Sequence, residues 1–325
     1  MGIKRREFLG LTALGATGAL LWQGRNLLRS RNSSPLAAPI PEIYRSEGGS
    51  LEINLEARYE DVILGGEPTR NMMTYNGQIP GPRLEVRPGD RLIIHFKNSL
   101  DQPTNLHFHG LHLSPEGNQD NVFLHIEPGE TFHYELEIHP QQRAGTYWYH
   151  PHHHGFVAEQ LFQGLAGLIV VRGDLDELPE IRAAQEEFFV LQDFNRDRPP
   201  QGMMGSHMNL MAGREGNLIT VNGLFHPEIA VTKDLVRLRL LNASPSRFYR
   251  LQLYGQKLMQ IAGDDGAFSQ PLERDELLLT PGQRAEVLIK TQDLPKTPIH
   301  LLNLPYQRAQ IGIMGQQYNN ATVAI

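Results

Sequence analysis

Two β-sandwich domains in tandem, with very little helix, is the fold class that three features of this 325-residue sequence predict. Short alternating runs separated by Gly, Pro and Asn turns dominate it, among them Leu84-Glu85-Val86, Arg91-Leu92-Ile93-Ile94-His95-Phe96 and Thr131-Phe132-His133-Tyr134-Glu135-Leu136-Glu137-Ile138. Alternation of this kind gives strands one apolar face each, as a sandwich requires. Persuasive helical patterning is confined to Leu178–Glu187, next to the acidic stretch Gly173-Asp174-Leu175-Asp176-Glu177, which reads as a linker. The third feature is a weak internal repeat.

In its first copy, Arg91-Leu92-Ile93-Ile94-His95-Phe96-Lys97-Asn98-Ser99 is followed by a short strand and then Glu127-Pro128-Gly129-Glu130. The second copy runs Val236-Arg237-Leu238-Arg239-Leu240-Leu241-Asn242-Ala243-Ser244, a strand, then Thr280-Pro281-Gly282-Gln283. Self-similarity at this scale points to one sandwich used twice. The framework repeats but the histidines do not: where the first copy has Leu106 to His112, the second has Arg247-Phe248-Tyr249-Arg250-Leu251-Gln252-Leu253.

Composition narrows the chemistry. With 20% charged and 40% hydrophobic residues, 31 Gly and 22 Pro, the chain is loop-rich and globular, neither wholly disordered nor a multi-span membrane protein. The absence of cysteine excludes disulfides, thiolate zinc, cysteine nucleophiles, iron–sulfur clusters and any thiolate-ligated copper within this chain. Residues 1–38 carry Lys4, Arg5, Arg6, Arg25, Arg29 and Arg31 against Glu7 alone, so removing that net +5 from the overall −6 leaves −11 on the remainder. An acidic body without a basic stripe argues against nucleic-acid binding.

Those first 38 residues read as an export signal: a basic segment, the apolar run Phe8 to Trp22, and small residues ending at Pro35-Leu36-Ala37-Ala38. The apolar run is short of the ~20 residues a stable span needs. Arg5-Arg6-Glu7-Phe8-Leu9 resembles the twin-arginine signal, which implies export in the folded state to the periplasm or beyond.

Eleven of the 14 histidines lie between His95 and His154, and seven form two groups, His107-Phe108-His109-Gly110-Leu111-His112 and His150-Pro151-His152-His153-His154-Gly155. On a strand, residues i and i+2 share a face, so His107 with His109 and His150 with His152 each present two imidazoles in one direction. Imidazole suits Cu, Zn, Fe or Ni, and redox-active copper is the reading favoured for a nitrogen-only cluster on a sandwich. A single His-X-His would be read as ordinary strand histidines or a solvated turn. Two of them, both flanked by Gly and aromatics, favour a metal site.

Here the sequence resembles a family. Asn105-Leu106-His107-Phe108-His109-Gly110-Leu111, Gly145-Thr146-Tyr147-Trp148-Tyr149-His150-Pro151-His152-His153-His154-Gly155 and Gln163-Gly164-Leu165-Ala166-Gly167 are similar to the first-domain copper motifs of multicopper oxidases, a family that includes laccases, bilirubin oxidases and cuprous oxidases. Asn76-Gly77-Gln78-Ile79-Pro80-Gly81-Pro82 resembles the family's opening turn; Leu191-Gln192-Asp193, Val221-Asn222-Gly223 and Leu279-Thr280-Pro281-Gly282-Gln283-Arg284-Ala285-Glu286 resemble its second domain. The resemblance implies two tandem cupredoxin-like Greek-key sandwiches: domain 1 over residues 39–173, a linker over 174–187 and domain 2 over 188–325.

It also implies that His107 ligates a type 2 copper and that His109, His150 and His152 ligate a type 3 pair. Asp120 falls near an acidic residue that relays protons to bound oxygen, with a different loop length. His112, His153 and His154 fall outside ligand positions. Family members oxidise phenols, pigments or metal ions at a type 1 copper and reduce O2 to water at a trinuclear cluster. The type 1 site needs a Cys, and the cluster needs further His-X-His and His-Cys-His motifs from a third domain. This sequence has no Cys, and after His154 only the scattered His207, His226 and His300.

The expectation is a truncated or split oxidase that supplies half of a trinuclear site, with the third cupredoxin domain on another chain or in further sequence. The alternative is a non-catalytic, exported copper-sequestering or scaffold protein of the same fold, comparable to the cell-division member of the family. Met203-Met204-Gly205-Ser206-His207-Met208-Asn209-Leu210-Met211 could add thioether ligands for Cu(I), although Met in a Gly-rich loop more often serves as adaptable packing. Glu186-Glu187 and Glu273 to Glu276 read as solvated loops, and Asp264-Asp265-Gly266 as a turn.

Overall fold

The computed structural model describes residues 41–195, 213–291, 298–306 and 323–324. The expected export signal and the stretch Met203–Met211 lie outside the described residues. Among those described, no helix is long and apolar enough to cross a membrane.

The first sandwich packs two sheets face to face. One has the order β1-β4-β9-β8-β6, built from β1 Ile43–Arg45, β4 Gly81–Val86, β6 His107–His109, β8 Gly145–His150 and β9 Gly167–Val171. The other has the order β3-β2-β5-β7, from β2 Ser50–Leu64, β3 Glu67–Tyr75, β5 Arg91–Asn98 and β7 Thr131–Glu137. The alternation in β5 sends Leu92, Ile94 and Phe96 inward, where they meet Leu84, Val86, Phe108, Tyr134, Tyr147 and Tyr149. Side chains on the opposite face, Arg91, Ile93, His95 and Lys97, point away from this core.

The second sandwich repeats the plan. Its larger sheet, β11-β10-β12-β17-β14-β15, contains β10 Gln185–Phe194, β11 Leu218–Val221, β12 Leu235–Asn242, β14 Leu258–Gly263, β15 Gly266–Arg274 and β17 Arg284–Lys290. It packs on β16-β13-β18-β19, from β13 Tyr249–Leu253, β16 Leu277–Leu279, β18 Leu301–Leu304 and β19 Val323–Ala324. β2 runs parallel to β5 in the first sandwich as β10 runs parallel to β12 in the second. Asp264-Asp265 is the two-residue turn of a hairpin closed by Gly263 opposite Gly266.

The repeat has a specific hydrogen-bond basis. At the end of β5, buried Asn98 donates through Nδ2 to the carbonyls of Gln102 and Ile126 and accepts from Leu100 N–H, while its own C=O takes Gly129 N–H. At the end of β12, buried Asn242 donates to the carbonyls of Arg247 and Leu279 and accepts from Ser244 N–H, and its C=O takes Gly282 N–H. Each Asn thus satisfies backbone groups that a strand ending inside the protein would leave unpaired.

Among the described residues, helix is limited to α1 Val157–Phe162, α2 Asp174–Glu177 and α3 Pro179–Ala183. The helix expected over Leu178–Glu187 therefore stops at Ala183. Gln185 to Glu187 are strand, drawn into the sheet by parallel pairing with Val236, Arg237 and Leu238.

β8 and β9 are buried along their whole length because the second sandwich covers their other face. Trp148 and Leu168 pack there with Val190, Leu241 and Ala243. Beside this contact lies a buried ion cluster. Arg239 on β12, fully enclosed, donates to Asp176 Oδ1 at 2.7 Å, Glu186 Oε1 at 2.6 Å and Glu286 Oε1 at 2.5 Å. Arg237 adds bonds to Glu286 and Asp176, and Arg172 adds Glu186, Asp176 and Glu85. Thr146 of β8 donates to Glu286 across the domain boundary at 2.8 Å. Glu186 is thus no part of a solvated loop, and the acidic linker supplies a carboxylate to the cluster. Burial forces these charges to pair, because an unpartnered charge there would cost several kcal/mol (~3–5).

Candidate metal centre

The ladder between β6 and β8 sets the site. His107 lies opposite His150, Phe108 opposite Tyr149, and His109 opposite Trp148. Phe108 points into the core at 0% exposure, which turns both flanking imidazoles to the other face of the strand. Beyond His109 the chain turns sharply at Gly110, whose φ is +90° and whose missing Cβ leaves room for the Arg284 guanidinium and the Tyr147 ring.

One ligating nitrogen from each of His107, His109 and His150 lies within 4.8 Å of the others. His109 Nδ1 and His150 Nε2 are 3.2 Å apart. His152, which follows Pro151 outside the strand, is exposed at the rim, with its ring centroid 5.2 Å from that of His107 and 6.2 Å from that of His150. Of the four histidines singled out in the sequence, three converge tightly and the fourth borders them.

The outward nitrogens are held by acceptors. His107 Nδ1 is 2.9 Å from Asp120 Oδ1, which also accepts Phe108 N–H at 3.0 Å. His150 Nδ1 is 2.8 Å from the Pro151 carbonyl. Donation in these directions leaves Nε2 of each ring as a bare lone pair facing the cluster. Burial, and next the nearby Arg284 guanidinium, push the His109 imidazole down to about 4. Burial, reinforced by His107, puts His150 well below the ordinary histidine value. Both rings are therefore neutral at pH 7 and available as ligands. Three converging imidazoles, two of them with an acceptor behind the outward nitrogen, fit copper.

Several residues of the site had no assigned role in the sequence. Trp148 stacks on His109 with centroids 5.1 Å apart and lies 4.1 Å from His150. Buried Asn105 accepts His152 N–H at 2.7 Å and donates to the Val122 and Leu124 carbonyls, tying the rim histidine to the loop after Asp120. The second sandwich contributes Gly282, against the edge of His109, and Arg284, which donates to the Thr146, Gly282 and Asp264 carbonyls. The His153 ring faces His125, away from the cluster, and the backbone N–H of His112 is held by Gln142 Oε1.

Two multicopper oxidase family models match the chain, one over residues 56–176 and the other over residues 185–320. The chain belongs to the multicopper oxidase family. Copper is the cofactor this membership implies. Among curated relatives of the chain, the multicopper oxidase mco of Staphylococcus epidermidis is 30% identical over 293 residues, covering 86% of this chain and 62% of its own length. The cell division protein FtsP of Photorhabdus laumondii is 31% identical over 296 residues, covering 89% and 60% respectively. Among solved structures, a Campylobacter jejuni multicopper oxidase described as a metallo-oxidase superposes with a TM-score of 0.70 at 29% identity, covering 91% of this chain and 63% of that one. A variant of McoA multicopper oxidase from Aquifex aeolicus gives 0.73 at 28% identity, covering 90% and 64%. The chain thus spans about three fifths of the length of the relatives it matches.

Proposed function

We propose that this chain supplies the first-domain half of a trinuclear copper centre in an exported oxidase that couples oxidation of a phenolic, pigment or metal-ion substrate to reduction of O2 to water. The observation that carries this reading is the convergence of three imidazole nitrogens within 4.8 Å. Copper held there supplies the one-electron chemistry that side chains lack. His107 serves the type 2 position, and His109, His150 and His152 the type 3 pair. The remaining imidazoles and the thiolate for a type 1 copper come from a third cupredoxin domain, on another chain or in further sequence. Twin-arginine export suits the reading, because cofactor insertion can precede translocation.

The chain's own residues perform three tasks. Asp120 and the Pro151 carbonyl keep a proton on His107 Nδ1 and His150 Nδ1, which aims both Nε2 lone pairs inward. Trp148 stacks on the His109 ring and Gly282 borders its edge, which fixes the ring's plane. Asp120, touching His107 at the partly exposed edge of the site, is placed to take or give a proton there. A second reading, a scaffold that does no oxidation, draws on the similarity to FtsP.

Copper stoichiometry of the loaded chain, beside a His107→Ala, His109→Ala variant, tests the half-site. Copper lost in the variant, and O2 consumption that appears only when a third domain is added, is the expected result. Histidine-independent copper, or none, favours the scaffold.

A further inference from the structure

A second pair of histidines stands apart from the cluster. His125 Nδ1 faces His153 Nε2 at 2.5 Å, with ring centroids 4.6 Å apart. The far nitrogen of the His125 ring, Nε2, is 2.7 Å from Glu127 Oε1. A carboxylate accepts there, so His125 carries its proton on Nε2 and presents a bare lone pair to His153. At 2.5 Å two N–H groups would clash and two lone pairs would repel, so one proton lies between the rings, and a metal ion that replaces it needs the rings to part slightly. Carboxylate, imidazole, then an inward-facing lone pair is the arrangement that orients a metal-ligating histidine.

The two halves of the pair are fixed in place. Asn105 ties the Val122 and Leu124 carbonyls to the His152 N–H, immediately before each histidine. Ile126, on the other side of His125, pairs with Thr104 in both directions. Phe156 packs against the His153 ring at 5.5 Å. Side chains of His125 and Glu127 remain about half exposed, so an ion can reach them from solvent.

We infer that His125 and His153, with Glu127 behind His125, form a separate surface site for a single copper ion, one residue along the chain from the rim ligand His152. Of the divalent first-row ions, Cu2+ binds nitrogen sites of this kind most tightly. Its position suits capture of copper ahead of transfer to the cluster. The inference does not depend on the half-site being competent, because its ligands are different residues.

The test is a Cu2+ titration of the purified chain against a competing chelator, with copper counted by elemental analysis. The parent chain binds one more copper than His125→Ala or His153→Ala. A His107→Ala, His109→Ala variant retains that copper. Glu127→Gln keeps the stoichiometry but weakens this site about 10- to 100-fold. A similar pair on the outer sheet face, His95 and His133 with Glu52, is removed separately by His95→Ala. Circular dichroism establishes that each variant is folded. Unchanged copper binding in folded His125→Ala and His153→Ala overturns the inference, as does loss of the extra copper in His95→Ala alone.

Discussion

Gly282 of the second sandwich lies against His109 of the first so closely that a Cβ placed on it would sit 3.0 Å from His109 Cε1. Its φ of +80° would also strain any larger residue. Gly129, at the matching turn of the first sandwich, has φ +84° and nothing within 4 Å of such a Cβ. Alanine at either position should cost about 1–2 kcal/mol from backbone conformation. Only Gly282→Ala should also weaken copper binding, by displacing the His109 ring. Urea unfolding and copper titration of the two variants separate the effects, and equal copper affinity would show that Gly282 does not position the ring.

Asn98 and Asn242 perform the same task, so removing either should have the same consequence. Asn98→Ala and Asn242→Ala each leave buried backbone groups unpaired, for an expected loss on the order of 3 kcal/mol. Thermal or denaturant unfolding measures it. A loss below about 0.5 kcal/mol in either variant would mean that water replaces the amide.

Replacing Asp120 with Asn should keep the fold while lowering copper affinity at the cluster by about 10- to 100-fold, since an amide can no longer hold the proton of His107 Nδ1 as a carboxylate does. Competition titration reads the change. Unaltered affinity would confine Asp120 to its bond with the Phe108 N–H.

Acid should act on the buried ion cluster. Burial alone would raise the Glu186 carboxyl, but Arg239 and Arg172 more than reverse this and pull it down to about 2 from 4.5. A depressed folded-state value means that the unfolded chain binds the proton first. The stabilisation is complete above pH 4.5 and is lost as pH falls from there to about 2. By linkage its upper size is about 3 kcal/mol. Glu186→Gln should be less stable at pH 7 and show a flatter stability profile between pH 5 and 2; a parallel profile would refute the assignment.

Much of the centre was legible because strand geometry is simple. Period-2 spacing places His107 with His109 whatever the rest of the chain does, and the turn at Asp264-Asp265 needs only local chemistry. His152 departs from that logic because Pro151 lies past the end of β8, so the i, i+2 relation no longer sets its direction. The ion cluster was hidden for a different reason. Arg237-Leu238-Arg239 alternates like any strand with a wet face, and Glu186 looks equally solvated; only contact between the sandwiches encloses them. Gly282 and Arg284 were visible as pieces of a repeated turn, yet nothing local reveals that this turn reaches a histidine more than a hundred residues earlier.

That reach has a practical meaning for anyone wishing to transplant or minimise the centre. The first sandwich owns the converging imidazole nitrogens, but the wall behind His109 and the counter-ions beneath β8 belong to its neighbour. Cut at the linker, it would expose Trp148 and Leu168 to water and leave the Thr146 hydroxyl without its Glu286 and Arg239 partners. The smallest portable unit of this histidine cluster is therefore both sandwiches together.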